Sequence, residues 1–185
     1  MDRKEAILVA ALELFSERGF HGATVAMIAD RAKVGAGTIY RYFADKDDLV
    51  NALFQHWKRT LAESLLADLP ADLPPRRLFH ELWHRFAEFS RDNPLALNFL
   101  EFHCHASYLN EASRALSDGF RDRFLAMFDE LRRNLVIKDV PPQLTFALIT
   151  GAFCGVEKAF QADELARTPE AEAHAEELCW EAIRR

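Results

Sequence analysis

Residues 24–43 read TVAMIADRAKVGAGTIYRYF, and the order of residue types in this stretch decides the fold. Thr24 is a good helix N-cap, and Ile28, Ala29 and Ala32 follow at spacings of three and four, which predicts a short amphipathic helix ending at Ala32. Gly35 and Gly37 bracket a turn, and a second short helix, Ala36 to Phe43, places Ile39 and Phe43 inward beside Val34. Ala29 is small where the two helices approach. Ala36, Gly37, Thr38, Tyr40, Arg41 and Tyr42 then lie on the outer face. Two short helices around a tight turn, the second carrying exposed tyrosines and an arginine, form the architecture of a helix-turn-helix DNA reader. A solvated helix with incidental aromatics is the bland alternative.

The flanks extend this unit. Asp2 and Glu5 read as a capping box opening a helix that ends at Gly19, with Ile7, Leu8, Ala11, Leu12, Leu14 and Phe15 on a broad apolar face. Asp45 caps a long helix from Lys46. Beyond it apolar residues recur at three and four, with no alternating run of β-branched residues. The chain is therefore expected to be all-α, with helices near 46–67, 75–91, 94–108, 111–137, 142–165 and 169–184 and a connector over 70–75. A helix-turn-helix domain is expected over 1–46 and a second helical domain over 47–185.

Composition excludes several classes. The 185 residues are half hydrophobic and 28% charged, close to globular averages, which fits neither a disordered chain nor a membrane span. The N-terminus lacks the apolar core of a secretory signal, so a cytoplasmic location is expected. Cys104, Cys154 and Cys179 form no CxxC spacing and read as buried small apolar residues. No cofactor is expected. The formal net charge of -6 argues against general nucleic-acid coating, although residues 1–46 carry a net +1 and the remainder -7.

The stretch Thr24–Ala32, then Val34–Phe43, Lys46 and Leu49, preceded by Glu13-Leu14-Phe15 and Gly19-Phe20, resembles the DNA-binding signature of the TetR-type (TetR/AcrR) bacterial transcriptional regulators. Two positions depart from the commonest pattern: Lys33 stands where glycine is usual, and Gly35 where serine often caps the recognition helix. The resemblance implies roles position by position. Thr24, Lys33, Tyr40, Tyr42 and Lys46 are implied phosphate contacts, and Ala36, Gly37 and Thr38 lie nearest the base edges, with Arg41 reaching a guanine or a phosphate. It further implies a homodimer on a palindromic DNA operator, released by a small-molecule effector.

For the dimer, Ala147, Gly151 and Gly155 recur every four residues, and Ala175, Leu178, Cys179, Ala182 and Ile183 of the last helix offer the same surface. Intramolecular packing of the glycines is the alternative. For the effector, the aromatics of 75–135 are implied to enclose an apolar pocket, with Phe86, Phe99, Phe102, His103 and Phe124 as candidate contacts. His103 is either a polar anchor there or a core histidine satisfied by a neighbour. The helix from Leu116 carries Phe120, Phe124, Met127, Phe128, Leu131 and Leu135 at helical spacing, a stripe that reads as buried, and with Arg123 as the basic residue near it an apolar or aromatic effector is expected rather than an anion.

One motif competes. His80-Glu81-Leu82-Trp83-His84 matches the HExxH string of zinc hydrolases, with Glu101 or His105 as the suggestive third ligand. On a helical wheel, however, His80 and His84 point away from the apolar face of Leu78, Phe79, Leu82, Trp83, Phe86 and Phe89, which speaks against a catalytic cleft. A constitutive DNA-binding regulator without an effector is a third reading.

Overall fold

The computed structural model describes residues 2–70 and 72–185; Met1 and Ala71, which fall within the expected first domain and the connector, lie outside the described residues. Among the described residues there are nine helices and no named strand: α1 Arg3–Gly22, α2 Val25–Arg31, α3 Ala36–Tyr42, α4 Lys46–Leu66, α5 Pro75–Asp92, α6 Pro94–His103, α7 Glu111–Arg133, α8 Pro142–Gln161 and α9 Pro169–Ile183. The all-α class follows. The chain forms two compact units, one running to Ser64 and adding Glu88–Asp118, the other made of Leu65–Ala87 and Gly119–Arg185. These units are drawn differently from a division after residue 46. Leu49, Val50, Leu53 and Phe54 of α4 are fully buried and belong to the first unit's core.

In the first unit, Asp2 does cap α1, but its carboxylate accepts from the adjacent Arg3 N–H at 2.6 Å rather than from the N–H three residues on. Gly19 breaks the helix with φ +67, a left-handed conformation that glycine alone adopts freely, and the turn beyond it buries Phe20. Asp45 caps α4 through the Asp48 N–H at 2.7 Å, and the Asp48 carboxylate returns to the Ala44 N–H at 3.0 Å. The pairing is close to a capping box, with an Asp where Glu or Gln is customary and the return bond one residue before the cap.

α6 stops at His103, not near 108. Cys104 to Leu109 form successive turns, with Ala106 N–H donating to His103 O and Leu109 N–H to Ala106 O, and these bring Tyr108 back over the helix end. Tyr108 Oη meets His103 Nδ1, and its ring stacks on Phe20 at 4.0 Å. His103 is 1% exposed beside Phe15 and Phe99, and burial pulls its pKa down to about 4. It is therefore a neutral core histidine at pH 7.

A pH dependence follows from that depressed value. The unfolded chain takes up this proton near pH 6.5 and the folded chain near 4, so the stabilisation is present above pH 6.5 and lost as pH falls toward 4. The first unit should lose about 2 kcal/mol between pH 7 and pH 5 through this residue. Urea midpoints at the two pH values, compared with those of a His103→Phe, Tyr108→Phe double variant, measure it. An equal pH slope in both proteins would assign the dependence to other groups.

In the second unit, α7 ends at Arg133 because Leu135 takes φ +58 and leaves the helix. Leu135 is exposed, which removes it from the buried stripe expected from Phe120 to Leu135. α8 ends at Gln161, two residues before Asp163 at φ +56. The interior is aromatic: Phe86 and Phe153 stack at 3.9 Å, Phe79 meets Trp180 at 5.3 Å, and Phe124 lies between Phe128 and Phe146. Of the cysteines, Cys179 is buried, with its thiol pushed up to about 11, whereas Cys104 and Cys154 are only half-buried.

Candidate DNA-binding face, dimer surface and effector cavity

The helix-turn-helix forms as its caps dictate. Thr24 Oγ1 accepts the Met27 N–H at 3.3 Å, leaving its own O–H able to donate to a phosphate. Ile28, Ala29, Ile39 and Phe43 are buried, while Ala32 and Val34 are half-buried at the edge of the turn. Arg31 is tied to Glu17 through both terminal nitrogens and to Glu13 at 3.0 Å, docking α2 on α1. Its charge serves the scaffold.

Lys33 sits at φ +55. Glycine is usual at this position because the turn needs a left-handed residue, and a lysine there costs roughly 1 kcal/mol. Lys33 accepts that strain while standing exposed. Gly35 caps α3 without a side-chain hydrogen bond.

On α3, Ala36, Gly37 and Arg41 are exposed, Thr38 is half-buried, and Tyr40 and Tyr42 are 56% and 41% exposed. Lys33, Tyr40, Arg41 and Tyr42 have no side-chain hydrogen bond or ion pair among the described residues. The helix and the turn before it thus present two exposed phenols and two exposed cations. Lys46 differs from the rest of the set: its ammonium donates to Phe20 O at 3.0 Å and Ala23 O at 3.2 Å and lies 4.2 Å from the Phe20 ring centroid. Its foremost task is to hold the end of α1 against the start of α4, with one donor left for a phosphate.

The small-residue stripe of α8 is exposed. Ala147, Gly151 and Gly155 face solvent together with Leu144 and Leu148, and on α9 Leu178, 72% exposed, and Ala182 do likewise. A Cβ at Gly151 or Gly155 meets nothing within 4 Å, so neither glycine is required by packing within the chain. Cys179 and Ile183 are corrections to that surface: both are buried inside the second unit, and Ala175 is half-buried.

The second unit holds a partly open cavity of about 70 Å³ lined by 18 uncharged residues from α4, α5, α7, α8 and α9, among them Leu65, Leu82, Phe86, Phe124, Phe153 and Trp180. Its one hydroxyl, on Thr150, donates at 2.8 Å to Phe146 O of its own helix. Phe86 and Phe124 line this cavity; Phe99, Phe102 and His103 do not. Phe99 and His103 are core of the first unit, and Phe102 is 75% exposed. The expected five-residue set is split because α6 turns its apolar stripe onto α1.

The HExxH residues are also engaged structurally. His80 and His84 are exposed, as the wheel predicts; His80 Nδ1 lies 2.8 Å from the buried Glu176 carboxylate, which also takes Arg76. Glu81 accepts from Arg85 Nε at 2.6 Å, and that guanidinium holds the Glu81 carboxyl below its usual range. No group of three or more His, Cys, Asp or Glu able to hold a metal occurs among the described residues.

Comparison with known proteins decides the family. Residues 7–53 match the model of the bacterial regulatory proteins of the tetR family, and residues 54–185 match the tetracyclin repressor-like C-terminal domain. The chain belongs to the TetR family. Its N-terminal part is similar to the HTH-type transcriptional regulator HbdR of Aromatoleum sp. (strain CIB), 39% identical over 87 residues, or 44% of this chain and 36% of the relative. The chain thus spans less than two-fifths of that curated relative. The uncharacterized HTH-type transcriptional regulator YhgD of Bacillus subtilis (strain 168) is 27% identical over 78% of the chain and 77% of its own length. A TetR-family regulator from Marinobacter aquaeolei VT8 shares the fold, with a TM-score of 0.88 at 20% identity over 98% of this chain and 95% of that one. The TetR family is one of helix-turn-helix transcription regulators, not of catalysts, and no helix among the described residues is long and apolar enough to cross a membrane.

Proposed function

We propose that this TetR-family chain is a ligand-responsive transcriptional repressor that binds a palindromic operator as a homodimer and is released by a small apolar or aromatic effector. The exposed, unpaired side chains of Lys33, Tyr40, Arg41 and Tyr42 on and beside α3 carry the reading. Tyr40, Tyr42 and Lys33 grip phosphates, Thr24 donates to another, and Arg41 reaches a guanine or a phosphate. Thr38 gives a hydroxyl to a base and a methyl to thymine, while Ala36 and Gly37 allow close approach. The effector site is the cavity of the second unit, whose uncharged walls favour a neutral ligand. At about 70 Å³ it is smaller than the roughly 150 Å³ that accommodates a buried benzene, so an aromatic occupant forces the walls apart. Leu65, in the last turn of α4, is one of those walls, and α4 runs unbroken back to Lys46 at the edge of the helix-turn-helix. Displacement of α4 changes the spacing of the two recognition helices in the dimer, which then no longer fit both half-sites.

The test is operator binding across salt concentrations. Tyr42→Phe should weaken affinity about three- to tenfold for every operator variant, through one lost phosphate hydrogen bond. Thr38→Ala should instead compress the difference between operator and mismatched sites. Equal affinity and unchanged base preference in both variants would remove α3 from the DNA.

A further inference from the structure

The HExxH string finds a use in the second unit that involves no metal. Arg85, one turn beyond Glu81 on α5, donates from Nη1 to Ala67 O at 2.5 Å and to Leu65 O at 3.4 Å, the carbonyls where α4 ends. Its Nε is held by Glu81 at 2.6 Å, and its side chain is only 20% exposed. The last carbonyls of a helix have no partner within it and carry the negative end of its dipole, so a guanidinium there is favourable twice over. Arg85 is also flanked by the cavity: Leu82 and Phe86 of its own helix and Leu65 of the clamped turn are all in the wall. An occupant that parts α5 from α4 must therefore stretch the Arg85 bonds or carry the end of α4 along with α5.

We infer that Arg85, oriented by Glu81, is the coupling residue of the effector response, transmitting movement of the cavity wall on α5 to the C-terminal turn of α4. The inference rests on the cavity being the effector site. Arg85 is not itself among the residues that line the cavity and acts through the α4 carbonyls, as a positioning residue. Lys46 pins the opposite end of the same helix by the same chemistry, an ammonium on the Phe20 and Ala23 carbonyls. Both ends of α4 are held by cations on backbone oxygens, and only the Arg85 end adjoins the cavity wall.

The experiment uses the intact chain, its selected operator, and toluene and indole as neutral aromatic probes. For each protein, probe binding is followed by ligand-detected NMR and operator affinity by fluorescence anisotropy with and without saturating probe. In the parent chain a saturating probe should weaken operator binding at least tenfold. Arg85→Leu should bind the probe within twofold of the parent and bind the free operator within threefold, yet change operator affinity less than twofold when probe is added. Glu81→Gln, which leaves the arginine but loosens its orientation, should give an intermediate response and serves if Arg85→Leu does not fold. A full tenfold response in Arg85→Leu or an undiminished one in Glu81→Gln overturns the coupling role alone. Absence of any probe response in the parent chain overturns the effector reading, and the coupling role with it.

Discussion

Gly155→Arg should convert the proposed dimer to a well-folded monomer whose operator affinity is lower by about a hundredfold or more. The expectation starts from the helix itself: a glycine inside a helix is about 1 kcal/mol worse than alanine, so Gly151 and Gly155 weaken α8. Nothing in the chain demands them, since a Cβ at either position would stand in open space. On the proposed dimer, close approach of a second copy of α8 and α9 would supply a requirement from outside the chain, with Leu144, Leu148 and Leu178 furnishing exposed apolar area around the glycines. An arginine at 155 holds the two surfaces apart and brings a charge into the seam, while helix propensity in the monomer improves. Each recognition helix then binds alone. Sedimentation velocity and operator titration check both halves of the expectation, and a stable dimer with parental affinity would place the interface elsewhere.

Asn51→Leu should cost the first unit about 3–5 kcal/mol, a large part of the roughly 5–15 kcal/mol that holds a typical domain together. Asn51 is buried, and its amide is fully used. Nδ2 donates to Asp47 O at 2.8 Å and Tyr108 O at 2.9 Å, and Oδ1 accepts from the Asn110 N–H at 2.8 Å and the Ser113 hydroxyl at 2.7 Å. Leucine preserves volume but takes away the partner of the Tyr108 carbonyl, the Asn110 N–H and the Ser113 hydroxyl, the last on a fully buried residue. The same substitution frees the loop that carries Tyr108 onto His103 and Phe20. Urea unfolding of the two proteins measures the difference; a loss under 1 kcal/mol would show that the loop repacks around the leucine.

These residues also show where reading the chain alone succeeds and where it stops. Caps and periodicity are local, so Thr24, Gly35 and Asp45 could be placed, as could the exposed tyrosines of α3. Which neighbour a face meets is not local. The stripe through Phe99 and His103 is apolar whether it lines a pocket or packs on α1, and spacing does not distinguish the two. Lys46 reads as a free cation until the Phe20 and Ala23 carbonyls are brought beside it. The four-bonded role of Asn51 leaves no trace in any motif, because its partners lie up to 62 residues away. Arg85 was masked for another reason: it stands one residue past a string that points to zinc, while its acceptors are backbone carbonyls that sequence does not display.

In the proposed complex two copies of α3 read one operator. Selecting binding sites from a random double-stranded DNA library with the intact chain and sequencing the enriched pool shows whether they do. An inverted repeat is expected, its half-site centres roughly 10 base pairs, or a multiple of that, apart, bound by one dimer and lost in Gly155→Arg. A pool with no enriched motif, or with a single unrepeated site bound equally well by Gly155→Arg, would contradict it.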